Sequence, residues 1–190
     1  MPLCISNYKP IRYNLIAKAI EHYESFGFEL VEVPWMVSDV ATKTTILDRS
    51  RVFETNRLDL VGSGEQGFAQ LLLSGKLRDG LYQTVTPCFR NEPEDSWHQK
   101  YFLKLELICV GSDRTSFLTG VAACFFEKYL KIRTLPVSPN QVDIVEDSHE
   151  IELGSYGFRS FLSGISWTYG TGLAEPRFSF TLDYLRSMST

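Results

Sequence analysis

The sequence predicts an α+β domain built on an antiparallel β-sheet flanked by helices. Three observations lead there. Strand-like segments outnumber the helices that would be needed as crossovers between parallel strands. Most neighbouring strands are separated only by turn-length polar stretches, as in hairpins. Two long stretches carry an apolar stripe at helical spacing, which needs a sheet to be buried against. The 190 residues suit one domain with a sizeable core, spanning residues 1–190.

Taken in order, residues 10–26 read as a helix. Ile16, Ala19, Ile20, Tyr23 and Gly27 follow helical spacing. Pro10 suits a first turn and Gly27 a C-terminal stop. A strand over 28–33 follows and stops at Pro34, which has no amide hydrogen to give a ladder. Residues 41–56 are polar and mixed, a loop with short elements. A strand at 58–61, a short apolar helix at 66–73 and a turn at Ser74-Gly75 come next. Residues 81–90 and 99–110 are two strands joined by a polar turn. On the second, Leu103, Leu105, Leu107 and Cys109 share one face, which reads as core. Phe102, Glu106, Ile108 and Val110 share the other.

A second long helix spans 115–132, with Leu118, Val121, Ala122, Phe125 and Tyr129 as its stripe. Ser112 or Asp113 is placed to cap it. A proline-containing loop at 135–140 leads to strands near 142–145 and 150–156. Pro176 then opens a last helix with Phe178, Thr181, Leu182 and Leu185 on one side. There are no repeats and no low-complexity segment.

Composition excludes several classes. With 44% hydrophobic and 13% aromatic residues the chain is globular, not disordered. The net charge is -4, and from residue 135 onward three basic residues face seven acidic ones. No basic patch marks a DNA-binding or other nucleic-acid surface. Cys4, Cys88, Cys109 and Cys124 have neither CxxC nor zinc-finger spacing and read as small buried thiols in a reducing compartment. No signal peptide opens the chain and no apolar run is long enough to span a membrane, so the expected location is cytoplasmic with no membrane partner.

The chemistry concentrates around the two central strands. Phe89-Arg90-Asn91-Glu92 ends the first, and His98, Phe102 and Glu106 follow at intervals of four. A guanidinium can fork onto a phosphate, a ring can stack on a base, and a carboxylate can hold an amino group or a metal. The bland alternative is an exposed hairpin with one salt-bridged arginine.

This arrangement resembles motif 2 of the class II aminoacyl-tRNA synthetases, whose pattern is FRxE, a loop, then (H/R)xxxFxxx(D/E). Every fixed position is filled. Four more segments resemble that family in its order, over about residues 13–185. The helix and strand ending at Pro34 are similar to motif 1, which implies a homodimer interface. Ser63-Gly64-Glu65-Gln66 resembles a segment of the aspartyl and asparaginyl branch, which implies that Glu65 or Gln66 binds an ammonium group. The same residues also read as a capping box, with Ser63 capping and Gln66 three residues on. Glu152-Leu153-Gly154-Ser155, with Arg159 seven residues after the glutamate, resembles the segment between motifs 2 and 3. Tyr169-Gly170-Thr171-Gly172, leading to Pro176-Arg177, resembles motif 3 in its seryl-type form, its glycines read as allowing close backbone approach to a ligand.

The resemblance implies a ligase that binds ATP, Mg2+ and a small amino acid or similar carboxylate, and forms an acyl-adenylate for transfer to tRNA or another acceptor. Arg90 and Arg177 would be catalytic. Arg90, Glu92, His98, Phe102 and Arg177 would bind ATP. Glu65, Gln66, Ser155 and Arg159 would bind substrate, and Glu106 and Glu152 the metal. The departures are the lack of an anticodon-binding domain and a turn of only five residues between Glu92 and His98, acidic in character. In the family that loop is longer and meets the tRNA acceptor stem, so tight binding of free tRNA is not expected. Two alternatives stand beside the ligase: a catalytically silent relative serving as ligand sensor or dimeric regulatory subunit, and a plain α+β domain with an unrelated ligand.

Overall fold

The computed structural model describes residues 9–95 and 97–188. Its strands are β1 (Glu29–Leu30), β2 (Met36–Val37), β3 (Asp59–Leu60), β4 (Gly80–Phe89), β5 (Tyr101–Val110), β6 (Ile132–Ser138), β7 (Gln141–Glu146), β8 (Glu152–Ser160) and β9 (Ser166–Glu175). Its helices are α1 (Tyr13–Glu24), α2 (Asp39–Thr42), α3 (Gly64–Leu73), α4 (Thr115–Phe126) and α5 (Arg177–Met188).

Seven strands form one sheet in the order β1-β4-β5-β9-β8-β7-β6, while β2 and β3 pair separately. Every pairing is antiparallel except β1 with β4. The α+β expectation with an antiparallel sheet flanked by helices therefore holds. The sheet's two faces differ. Leu105, Leu107 and Cys109 project into a large core with α1, α4 and α5, where Phe125, Phe126 and Phe178 are almost fully buried. Burying one such ring stabilises by about 1.5–3 kcal/mol. The opposite face is covered only in part. There α3 packs Phe68 and Leu72 on Ile108 and Trp167. The rest of that face, at the first half of β5, stays open.

Several elements differ from expectation. Helix α1 starts at Tyr13, leaving Pro10 outside it, and ends before Gly27, which adopts the left-handed conformation expected of a stop. The 28–33 strand shrinks to two paired residues parallel to β4, with Val31 extending the ladder by donating to the Gln83 carbonyl. Helix α4 ends at Phe126, six residues early. Asp113, not Ser112, accepts from the Thr115 amide at its start. Residues 135–138, expected in a loop, belong to β6. Pro136 is tolerated there because β6 is the sheet edge and pairs on one side only. Ile108 is not on a ligand face but buried beneath α3, with Val110 partly buried against the same cluster. Among the described residues no helix is long and apolar enough to cross a membrane.

Candidate functional site

Antiparallel pairing sets the site. Cys88 lies opposite Phe102, and Phe89 opposite Tyr101, so Arg90 emerges beside the start of β5. The Arg90 amide continues the ladder by donating to the Lys100 carbonyl at 2.8 Å. Its Nε donates to the Gly62 carbonyl at 3.0 Å, and its guanidinium lies 5.1 Å from the Phe102 ring centroid. Glu92 accepts from Arg51 in a close ion pair. In the turn, one Asp95 oxygen accepts from the amides of Trp97 and His98, each at 2.7 Å, and the His98 ring stands 2.8 Å from the other. These contacts, that with the His98 ring foremost, pull the Asp95 carboxyl down to about 2.

Phe102, Trp97, Pro176, Arg177, Phe180 and Arg90 line a narrow, nearly closed cleft with a free volume of about 20 Å³. This slot has aromatic walls and a guanidinium at each end of the motif. Arg177 opens α5 and donates to Glu152 at 3.2 Å. Beyond it a shallow hollow is lined by His98, Arg177, Glu152 and His149.

A second, polar cavity of about 1100 Å³, open mouth included, adjoins the slot. Thr45, Ile46, Leu47, Asp48 and Arg51 border it, on a segment anchored by Arg49, whose guanidinium forks onto Asp59 at 2.6 and 2.8 Å. Glu65 and Arg159 lie in its wall. The Glu65 oxygen Oε1 accepts from the Trp167 indole at 2.8 Å and sits 3.1 Å from Arg159 Nε. Arg159 also donates to the Thr44 carbonyl at 3.0 Å and lies 4.6 Å from the Tyr169 ring centroid. Burial pushes the Glu65 carboxyl up to about 7, against the pull of Arg159. Gln66 does not face this space. It is fully buried, accepts from the Gly62 amide and donates to Thr45, both at 2.7 Å. Its amide therefore closes the loop that leads into α3, and of the two candidates for an ammonium only Glu65 lines the cavity. The capping box is correspondingly incomplete: Ser63 accepts from the Glu65 amide, but Gln66 reaches back past the cap to Gly62.

Glu106 is 1% exposed and fully engaged. Ser63 donates to it at 2.5 Å and the Lys104 ammonium at 2.9 Å. The two expected metal carboxylates are thus held by different cations, Glu106 by Lys104 and Glu152 by Arg177. Among the described residues no three His, Cys, Asp or Glu side chains are grouped around a metal position. Glu152 has a better partner than Glu106. Asp143, on neighbouring β7, has a buried oxygen with no hydrogen-bond partner. Its carboxyl is raised by burial and, in addition, by the Glu152 charge. Two carboxylates held near each other, one with an unsatisfied oxygen, suit a divalent cation. Ser155 accepts from Gln141 at 2.9 Å and lines the polar cavity.

The glycines of the motif 3 segment have a different reason from the one expected. A side chain at Gly170 would strike the Tyr156 ring at 2.3 Å, and one at Gly172 would strike Leu105 at the same distance. Both face the core, so these positions are small for packing against rings, not for a ligand. Gly64 does serve the site. A Cβ there would come within 2.9 Å of the Glu106 Cβ, so glycine lets α3 begin directly on β5.

Sequence reasoning missed Lys104, Asp143, Arg51 and the Trp97 ring. Lys104 was readable, since alternation puts it between Phe102 and Glu106 on one face. Asp143 and Arg51 were not, because only the fold brings their segments to the site.

No protein-family profile and no curated protein matches the chain. Solved structures do. One is PylSc of Desulfitobacterium hafniense, a pyrrolysyl tRNA synthetase, with TM-score 0.73 and 19% identity over 95% of this chain and 72% of that one. A second structure of pyrrolysyl-tRNA synthetase from the same organism gives 0.69 and 18% over 92% and 69%. The cytoplasmic serine-tRNA ligase of Naegleria fowleri, solved in complex with AMP, gives 0.69 and 18% over 88% of this chain and 47% of that one.

Proposed function

We propose, on the premise that this chain has the fold of a class II aminoacyl-tRNA synthetase catalytic core, that it binds ATP and a small polar amino acid or similar carboxylate and joins them as an acyl-adenylate. One observation carries the reading: Arg90 and Glu92 line both the aromatic slot and the polar cavity. A phosphate that bridges a stacked base and an acyl group belongs at such a junction.

In this reading the base lies on Phe102 with Arg177 opposite, and His98 and Arg177 face the outer phosphates. Arg90 neutralises the α-phosphate. Glu65, once ionised, accepts from the substrate ammonium. Ser155 and Arg159 contact the rest of the substrate. A carboxylate oxygen attacks the α-phosphorus, the bond to the bridging oxygen breaks, and pyrophosphate leaves. No side-chain nucleophile is needed, and the protein contributes positioning and charge neutralisation. Mg2+ would be held by Glu152 with Asp143 and would draw off charge from the phosphates; Glu106, committed to Lys104 and Ser63, fits that role less well.

A second reading rests on the internal neutralisation of the pocket, where Arg159 faces Glu65 and Lys104 faces Glu106. A ligand sensor or dimeric regulatory subunit without catalysis needs no free charges there. The acceptor also enters as a proposal: the turn that would meet an acceptor stem is short, acidic and folded onto α5, so free tRNA is not bound tightly. Saturable binding of unfractionated tRNA in a filter assay at physiological salt contradicts that point. The nucleotide reading itself is tested by calorimetry. Arg90→Ala is expected to weaken ATP binding by about 2–4 kcal/mol, the scale of a lost charge-assisted contact. Unchanged affinity overturns it.

A further inference from the structure

We propose that Trp97 is a nucleotide-positioning residue, a second aromatic wall of the base slot that favours a purine over a pyrimidine. The inference rests on the nucleotide reading above and adds to it a residue outside the motif pattern. The Trp97 ring packs edge-on against Phe180, with centroids 4.6 Å apart, and against Tyr184 at 5.7 Å. Phe102, Trp97 and Phe180 line one cavity, while Tyr184 stands outside it. The Lys9 ammonium lies over the Phe180 ring and 5.8 Å from the Trp97 ring centroid, so it flanks both rings of the cleft.

The backbone fixes this placement. Asp95 accepts from the Trp97 amide and from the next amide, so the short turn holds its tryptophan at one point above the slot. A longer turn would let that ring swing out; five residues between Glu92 and His98 do not. A flat apolar wall is worth most to the ligand with the largest flat face. A purine offers two fused rings and a pyrimidine one, and aromatic contacts scale with the ring area covered.

Trp97 also ties the turn to α5, and a purely structural strut would make the same contacts with Phe180 and Tyr184. The variants separate the two roles. Trp97→Ala removes the wall, Trp97→Phe keeps a ring, and Tyr184→Ala removes the strut's outer partner without touching the slot. The full chain is titrated by calorimetry with ATP, AMP, CTP and inorganic tripolyphosphate. Trp97→Ala is expected to weaken ATP and AMP by the same factor, about tenfold, the order of one lost base–aromatic contact. It should leave tripolyphosphate unchanged and shrink the ATP-over-CTP preference. Trp97→Phe should restore most of the loss, and Tyr184→Ala should bind ATP as the wild type does. Wild-type ATP affinity in Trp97→Ala overturns the proposal while leaving the nucleotide reading intact. So does a loss of tripolyphosphate equal to that of ATP, or a Tyr184→Ala defect as large as that of Trp97→Ala. A wild-type chain that binds no ATP overturns the nucleotide reading and this inference with it.

Discussion

Arg159 Nε stands 3.1 Å from the same Glu65 oxygen that accepts the Trp167 indole hydrogen at 2.8 Å. A buried carboxyl with one indole donor and a guanidinium charge beside it is still held up to about 7, because burial penalises its charge more than these two groups reward it. The pocket wall therefore changes charge near neutral pH.

Two effects follow from that single group. A carboxyl whose folded value is raised binds its proton more tightly in the folded chain. Its stabilising contribution is complete below about 4.5 and is lost as pH rises to about 7. The unfolding free energy should fall across that window by up to about 1.4 kcal/mol per pH unit from Glu65 alone. Glu65→Gln removes this slope, and urea unfolding of both proteins from pH 4 to 8 measures the difference. Affinity for an amine-bearing substrate should move the other way, rising through pH 7 as Glu65 ionises. Parallel stability profiles for wild type and variant would contradict the assignment.

Lys104 and Glu106 make a second, deeper pair, with side chains 12% and 1% exposed. Lys104→Met leaves the carboxylate buried with only Ser63 as donor. Removing one partner of a buried pair costs about 3–5 kcal/mol, and replacing both restores most of it. Lys104→Met with Glu106→Gln should therefore unfold nearer to wild type than Lys104→Met alone. A loss below about 1 kcal/mol for the single variant, measured by urea unfolding, would show that the charge is relieved elsewhere.

The side of the domain near β1 and β2 predicts a homodimer. Leu30, Trp35 and Met36 are 46%, 51% and 51% exposed there, close to the α1–β1 unit that resembles motif 1. Neighbouring apolar side chains of this size mark an interaction surface. Light scattering should give twice the 21.7 kDa of one chain, and Trp35→Glu should shift it to monomer. A monomer at every concentration would contradict this.

The parts of the fold governed by local periodicity were legible in the sequence. Strands β4 and β5 and helices α1, α4 and α5 announce themselves by alternation or a 3.6-residue stripe. Features set by partners distant in the chain were not. Pro136 reads as a loop residue until β6 is known to be an edge, and residues 28–33 read as a full strand although only Glu29 and Leu30 pair with β4. At the site, Arg90, Glu92, His98, Phe102 and Arg177 line one cleft. The choice between Glu65 and Gln66 needed three dimensions, because adjacent helical residues point about 100° apart and only the fold shows which of them meets the cavity. The different cation partners of Glu106 and Glu152 were hidden for the same kind of reason. Alternation does place Lys104 beside Glu106, but spacing along the chain cannot reveal that Arg177 holds Glu152 or that Asp143, nine residues upstream, neighbours it.

The central claim is activation of a carboxylate by ATP, and amino-acid-dependent exchange of labelled pyrophosphate into ATP tests it most directly. With each candidate amino acid supplied in turn to the full chain, exchange should appear with a small polar amino acid and vanish in Arg90→Ala. ATP binding without exchange for any of them would contradict the ligase reading and favour the silent ligand sensor.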